Sequence, residues 1–559
     1  MSKYTVAGYI AETIANISGR VYGVIGTSII DFIDHLYDMK DKITYISTRH
    51  EQVAASAADG EARVTGRPGF AAVHAAPGFL NAALSLGIAL RDRSPLFLIA
   101  GGVRRKLHGT MAWLEVDLQA TAKPLTVDAA RVRSPRDIPS TLRRLLRSSL
   151  TPPKGPVFLE IPEDMWNEPL PADAPPPPSL KEILSPPVTP SEDDIQEALE
   201  YVRRAERPLI LACGEVNNPE GAEAVRRLAE AADAFIVTTG NGRGVCDETW
   251  WRCLGRVGFG GGSLVADRAF QKADLLIVLG GELDDIVTYG YKMMPEGEVV
   301  VASLDPYTEK RLILPTLHSK SDPTLFALKL AEKLEGMPRG ERGEWKRLVE
   351  SWWSEWEAIL QEAVGRSYEG HVNPNRFFHE LAGMLPDDFI LSAGQGTHIV
   401  YTYNYIRIRK PRSFLAATNL GAMSFALPAA MGAALSDPDR LTLAVVGDGE
   451  LMMTIQDLET IARHRVPVKI VVVNDNSYRV LLLRQMIQKR GRIIGTIHTN
   501  PDFAELAKLF NIPAEAAEDD ESAVRAARRM IDAEGPYLLE IRIPPTDLPP
   551  LNLDATLKM

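Results

Sequence analysis

The stretch 447–478 limits the fold more than any other part of this sequence. An apolar run at 443–446 ends in Gly447, Asp448 and Gly449, and a second at 468–473 ends in Asn474, Asp475, Asn476 and Ser477, with the amphipathic segment 455–464 between them. Two apolar strands joined by a helix-length crossover predict a βαβ unit, whose polar tips meet at the carboxyl edge of a parallel sheet, where ligands bind. A hard divalent cation such as Mg2+ takes oxygen ligands and is usually shared with a diphosphate, while glycine lets the backbone approach phosphate oxygens. Asp448, Asp475 and the Ser477 carbonyl supply three such oxygens. Either turn alone is ordinary loop punctuation; their pairing across one βαβ unit is what points to a metal and diphosphate site.

The same rhythm of short apolar runs and Ala-rich amphipathic segments extends through the chain. Runs at 21–25, 43–46, 70–74, 96–100 and 157–161 predict a parallel α/β domain over residues 1–170. The segment 168–190, with Pro175 to Pro178 in succession, predicts an extended linker. Runs at 208–213, 234–239, 275–279 and 299–304 predict a central domain over 190–335, and a charged, tryptophan-bearing helix at 345–364 predicts a connector. Runs at 389–392, 443–446, 468–473 and 537–543 predict a third domain over 370–559. The chain has 559 residues, too many for one core, and three parallel-sheet α/β domains are the expected fold class.

Charge and cysteine usage narrow the function classes. The 62 basic and 73 acidic residues give a net charge of -11, and no basic run is dense enough to follow a nucleic acid backbone. Cys213, Cys246 and Cys253 lack metal-ligand spacing and read as free or buried thiols in a reducing compartment. No secretory signal is visible at the amino terminus, and the longest apolar stretch, 70–90, is broken by His74, Pro77, Gly78 and Asn81. That pattern predicts a buried strand-turn-helix rather than a membrane span, so a cytoplasmic protein without membrane association is expected.

Four further segments stand in order before the 447–478 unit: Arg49-His50-Glu51-Gln52, Ala76-Pro77-Gly78-Phe79-Leu80-Asn81, Ser392-Ala393-Gly394-Gln395-Gly396-Thr397-His398 and Asn419-Leu420-Gly421-Ala422-Met423-Ser424-Phe425. Together they resemble, over nearly the whole chain, the thiamine diphosphate (ThDP) enzymes of the acetolactate synthase, benzoylformate decarboxylase and benzaldehyde lyase group. The resemblance implies pyrimidine-binding, central and diphosphate-binding domains, ThDP and Mg2+ as cofactors, and a homodimer or homotetramer in which different subunits hold the two ends of ThDP. It makes Glu51 the carboxyl that contacts the aminopyrimidine, with Pro77 and Asn81 also on the cofactor. Met423 becomes the apolar wedge beneath the bent cofactor and Gly421 a carbonyl acceptor for its amino group. Gln395, Gly396, Thr397, Gly447, Asp448, Gly449, Glu450, Asp475, Ser477 and Tyr478 are assigned to the diphosphate end, and Asp448, Asp475 and Ser477 to the metal. Asp475 stands where the family has asparagine, so its added negative charge has to be offset by the metal or a proton.

The resemblance also draws the substrate pocket from Gly26, Thr27, Ser28, His74, Trp113 and Leu481. His74 is then a proton shuttle, against the plainer reading of a satisfied polar residue at a strand end. Two departures weigh against a true acetohydroxyacid synthase: the family's F-D-D-R segment reads Leu283-Asp284-Asp285-Ile286, and its substrate-selecting tryptophan aligns with Arg484. FAD is disfavoured, and the glycines Gly258, Gly260, Gly261 and Gly262 read as a flexible loop in preference to a nucleotide cradle. The expected activity is acetolactate synthase-like: decarboxylation of a 2-oxo acid and transfer of the acyl-anion equivalent to a second carbonyl, with 2-oxo acids or aldehydes as substrates. The alternatives are a lyase resembling oxalyl-CoA decarboxylase or 2-hydroxyacyl-CoA lyase, on Tyr22-Gly23-Val24-Ile25-Gly26 and the 76–81 segment, a flavin-dependent 2-oxo acid oxidase, and a non-catalytic ThDP-binding protein.

Overall fold

The computed structural model of the chain describes residues 3–337 and 342–552. Three six-stranded sheets with flanking helices carry it, their strands paired in parallel. In spatial order the first runs Thr44–Ser47, Arg20–Gly23, Gly69–His74, Leu96–Gly102, Val157–Pro162, Asp128–Arg131. The second runs Leu317–Ser319, Glu298–Ala302, Leu275–Leu279, Pro208–Ala212, Phe235–Thr238, Cys253–Arg256. The third runs Phe414–Leu415, Phe389–Ala393, Leu441–Gly447, Val468–Asn474, Tyr537–Arg542, Ala514–Ala517. Interior strands such as Leu275–Leu279 are buried at every residue, which is why they read as unbroken apolar runs.

Each sheet reverses its strand order at one interior pair of strands, and the first and third sheets turn back again at their last two strands. The interior reversals lie between Arg20–Gly23 and Gly69–His74, between Pro208–Ala212 and Leu275–Leu279, and between Phe389–Ala393 and Leu441–Gly447. Connections leave such a point in opposite directions and open a crevice at the carboxyl ends of the two strands. The strands that the apolar pattern does not predict, Asp128–Arg131, Cys253–Arg256, Leu317–Ser319, Phe414–Leu415 and Ala514–Ala517, are all edge strands.

The chain gathers into two compact units. The first combines the residues up to Pro186 with Asn419–Asp439 and Met453–Val468; the second combines Pro187–Thr418, Arg440–Met452 and the chain from Lys469 on. Within the first unit the Ala-rich helix Glu51–Thr65 is buried on nearly every side and crosses the helix Ala426–Ser436. A methyl group at Gly432 would lie 1.9 Å from the Ala57 carbonyl oxygen, and one at Gly60 would lie 2.2 Å from that of Ala429. The two backbones therefore touch without side chains between them. Buried charge fixes the same region: Arg63 pairs with Asp59 at 2.9 Å and with Asp92 at 3.1 Å, and Asp92 accepts the Asn419 amide at 3.0 Å. The guanidinium of Arg63 also lies 4.6 Å from the Phe425 ring centroid.

In the second unit one apolar core runs from the second sheet to the third through the helix Gly343–Val364, whose Trp345 and Trp356 are buried. The expectation of unpaired thiols holds for Cys213 alone, which is buried and free. Cys246 and Cys253 form a disulfide, because the turn between them returns to the start of an edge strand and leaves their Cα atoms 6.3 Å apart. The apolar stretch near residue 80 is the strand Gly69–His74 followed by the helix Ala75–Arg91, and among the described residues no helix is long and apolar enough to cross a membrane.

Replacing Gly432 with alanine drives a methyl into the Ala57 backbone, where no rotamer relieves the overlap. We expect a loss of about 1–3 kcal/mol, seen as a lowered midpoint in thermal or urea unfolding, whereas Gly365→Ala, with no atom nearer than 3.5 Å, leaves the midpoint in place.

Candidate active site

At the reversal point of the first sheet, Gly26, Thr27 and Ser28 follow one strand and His74 ends its neighbour. The His74 ring lies so close to Gly26 that a methyl there would stand 2.2 Å from Cγ. The Ser28 amide donates to His74 Nδ1 at 3.3 Å, and the Ser28 hydroxyl lies 2.8 Å from the same nitrogen. That hydroxyl accepts the Ala75 amide at 3.1 Å and is left to donate to Nδ1, so a neutral His74 carries its proton on Nε2. Trp166 Nε1 donates to the Ser28 carbonyl at 2.7 Å. Ser28 is thus buried and engaged with the protein, while Thr27 is exposed.

Glu51 is the first residue of its helix, capped by His50 Nδ1, which accepts the Gln52 amide at 3.2 Å. The Glu51 carboxylate is half-buried, and its Oε2 accepts from Asn81 Nδ2 at 2.9 Å. Pro77 and Asn81 lie exposed on the helix Ala75–Arg91. The Tyr45 hydroxyl is buried, and burial, followed by the charge of Glu51, pushes its pKa up. Met423, half-buried, and Gly421, exposed at φ +67°, belong to this same unit, where the Gln52 side chain bonds the Ser424 hydroxyl. Trp113 in the first unit is 82% exposed, and Leu481 in the second is 52% exposed.

The third sheet's reversal point assembles the other group. The strand Phe389–Ala393 ends in Gly394-Gln395-Gly396, which leads into the helix Thr397–Tyr405, and the strand Leu441–Gly447 leads into Asp448–Leu451. Glu450 Oε2 spans the two, accepting the Gln395 amide at 2.9 Å. A methyl at Gly394 would lie 1.9 Å from that oxygen, so glycine is required. Glu450, assigned above to the cofactor, is 1% exposed and fixes the neighbouring turn. Asp448 is buried, and Asn500 Nδ2 lies 2.6 Å from its Oδ2 and 3.1 Å from the side-chain oxygens of both Asn474 and Asn476. An amide has two hydrogens to give, so the three acceptors leave the cluster rich in oxygen. Burial, then the charge of Asp475, raises the Asp448 pKa. Asp475 Oδ1 accepts both the amide and the hydroxyl of Ser477, at 2.9 Å and 2.8 Å, and its Oδ2 pairs with Arg479 Nε at 2.6 Å. The Tyr478 ring lies over the Gly449 backbone and packs at a tilt against His498, with centroids 4.6 Å apart.

Residues 4–122, 195–330 and 394–541 match the N-terminal TPP-binding, central and C-terminal TPP-binding domain models of thiamine pyrophosphate enzymes. An acetolactate synthase of Mycobacterium bovis is 31% identical over 524 residues, covering 92% of this chain and 84% of that protein. The chain belongs to the thiamine pyrophosphate enzyme family. A mitochondrial acetolactate synthase catalytic subunit of Aspergillus candidus is 28% identical over 544 residues, 93% of this chain and 78% of its own length. Acetolactate synthase isozyme 1 large subunit of Escherichia coli is 29% identical over 527 residues, 94% and 91% of the two chains. Thiamine diphosphate is accordingly the cofactor of this enzyme.

The donor set of the third sheet suits the diphosphate end of this cofactor. Among the described residues no group of three or more His, Cys, Asp or Glu side chains converges to hold a metal alone. Two carboxylates and neutral oxygens are what the chain offers, which suits a cation that completes its shell with phosphate oxygens. The helix Thr397–Tyr405 turns its amino-terminal amides toward the Gln395 turn, as anion binding requires. Sequence reasoning missed Arg479, Asn500 and His498; the spacing of Asp475 and Arg479 was a usable signal for the first, whereas Asn500 and His498 arrive from a distant loop.

Removal of the Glu450 carboxylate should release the Gln395 turn. In Glu450→Ala we expect hydrogen exchange at the Gln395 amide to accelerate about ten-fold or more, with exchange in Phe389–Ala393 unchanged.

Proposed function

We propose that this enzyme uses ThDP and Mg2+ to decarboxylate a 2-oxo acid and to join the resulting acyl unit to a second 2-oxo acid or aldehyde, as the acetolactate synthase names of its relatives suggest. The observation that carries the reading is that each unit holds one half-site, the Glu51 carboxylate oriented by Asn81 in the first and the oxygen cluster of Asp448 with Asp475 in the second. When bound, ThDP supplies the electron sink for a carbanion equivalent beside a carbonyl, which no side chain can provide. Asp448, Asp475 and the Ser477 carbonyl hold Mg2+; Gln395, Gly396, Thr397, Gly447, Gly449 and Tyr478 line the diphosphate. Glu51 holds a proton at the pyrimidine nitrogen, and Asn81 keeps the carboxylate aimed. His74 exchanges a proton at Nε2, since Ser28 occupies Nδ1. Thr27 binds the polar end of the substrate, Trp113 and Leu481 belong to the same pocket, and Met423 supports the bent cofactor from beneath.

Three domains, 1–170, 190–335 and 370–559, divide this work, and Glu51 of one chain serves the diphosphate cradle of a second, so the working enzyme is a homodimer or a dimer of dimers. A cytoplasmic location accompanies the reading. Glu51→Gln should cut turnover by about 100-fold or more with an unchanged thermal unfolding midpoint; wild-type turnover would remove Glu51 from the mechanism. Asp448→Ala should weaken ThDP and Mg2+ binding together in calorimetry, and normal ThDP affinity would refute the metal assignment.

We propose that the second sheet holds neither FAD nor the nucleotide end of an acyl-CoA. At its reversal point the Gly214 amide donates to Glu282 at 3.1 Å and the Gly281 amide to Glu215 at 2.8 Å, so two acids stand at these strand ends. Asp284 and Asp305 add to the negative charge, and Arg311 stands 3.6 Å and 3.7 Å from them. Burial pushes the Glu215 pKa up to about 7, the cost of crowding acids there. The glycine cluster is a packed turn rather than the flexible loop expected: the Gly258 amide donates to Asp267 at 2.9 Å and the Gly262 amide to the Gly258 carbonyl at 2.8 Å. The purified enzyme should show no flavin bands in its visible spectrum after incubation with FAD and desalting; retained flavin would reopen the oxidase reading.

A further inference from the structure

Two carboxylates face the diphosphate end of the third sheet, Asp448 after one strand and Asp475 after the next, and both are nearly inaccessible to water. Like charges buried at neighbouring strand ends raise the electrostatic cost of each other. A bound diphosphate adds further negative charge, and a single Mg2+ is a limited counterweight. An asparagine at 475 would avoid the problem, so something in this chain has to make aspartate tolerable there.

Arg479 is that group by position. It opens the helix Arg479–Gln488, four residues after Asp475, and is 4% exposed. Its Nε stands 2.6 Å from Asp475 Oδ2, on the side of the carboxylate opposite to the one engaged by Ser477. The far end of the guanidinium is tied down as well: Nη1 donates to the Tyr401 hydroxyl at 3.3 Å and Nη2 to the Pro544 carbonyl. Tyr401 donates in turn to Asp547 at 2.7 Å. The guanidinium is therefore held at its far end, with its charge beside the Asp475 carboxylate as an ion pair and without a hydrogen bond from Nε.

We infer that Arg479 is a positioning residue for the cofactor's diphosphate, cancelling the charge of Asp475 and fixing its orientation, so that Asp475 and Arg479 work as one unit equivalent to a neutral ligand. The inference rests on the ThDP and Mg2+ reading of this site. It distinguishes charge compensation from mere support, because only in the first case does removing the charge of Asp475 make Arg479 dispensable.

The test is calorimetric titration of ThDP, at fixed Mg2+, into wild type, Arg479→Met, Arg479→Lys and the double variant Asp475→Asn/Arg479→Met, each checked for a native unfolding profile. Arg479→Met should lose about ten-fold or more in ThDP affinity, and the double variant should return to within about three-fold of wild type. Arg479→Lys, which keeps the charge, should bind more tightly than Arg479→Met. Wild-type affinity in Arg479→Met, or a double variant as weak as Arg479→Met, would overturn the inference. Failure of Arg479→Met to fold moves the decision to the lysine and double variants: rescue of folding and affinity by Asp475→Asn supports compensation, and its absence contradicts it. A wild-type protein that takes up no ThDP with Mg2+ would overturn the site reading itself, and the inference with it.

Discussion

The interior reversal of strand order in each sheet is the constraint on which the site chemistry depends. Two neighbouring connections that part there leave backbone amides and strand-end side chains facing a shared crevice, whatever the sequence places in it. The first sheet fills its crevice with a histidine tied to Ser28, the third with a Glu450-braced turn beside an oxygen cluster, the second with carboxylates on its own amides. One architecture thus yields a candidate proton exchanger, a candidate diphosphate cradle and a crevice lined by carboxylates. The differences lie in a handful of residues at strand ends.

Packing decides which residues travel together. The contact between Glu51–Thr65 and Ala426–Ser436 needs glycine at 60 and 432, and it carries the Gly421 and Met423 segment into the same unit as Glu51. Asp448 and Asp475 belong to the other unit, with the second and third sheets. The helix that presents Glu51 is held by backbone contact and by the Asp59, Arg63 and Asp92 network, so its first turn starts from a rigid base. Buried charge recurs at Asp475 with Arg479, again with each partner supported by further bonds.

Much of the fold was legible because interior parallel strands are apolar at every position, and such runs stand out without any partner being known. The edge strands were not legible: Leu317–Ser319 includes His318, Ala514–Ala517 includes Glu515, and Phe414–Leu415 is only two residues long. Their conformation comes from one neighbour rather than from their own pattern. At the site, the turns 447–450 and 474–478 could be read because glycine and acid follow directly on apolar runs. The engagement of Ser28 with His74, the bracing role of Glu450 and the Cys246–Cys253 bond depend on distances between segments that a linear pattern does not contain. Asp475 was visible as an anomaly of charge; Arg479, one turn away, explains it.

The proposed enzyme requires that Glu51 and Asp448 act on one cofactor from different chains. The most direct measurement is complementation: co-express Glu51→Gln and Asp448→Ala subunits with different tags, purify assemblies carrying both, and assay them beside each single variant. Random pairing would put one intact site in half of the dimers, so the unfractionated mixture should regain about a quarter of wild-type activity, with all of it in the doubly tagged fraction. Mixed assemblies as inactive as the single variants would contradict the two-chain site.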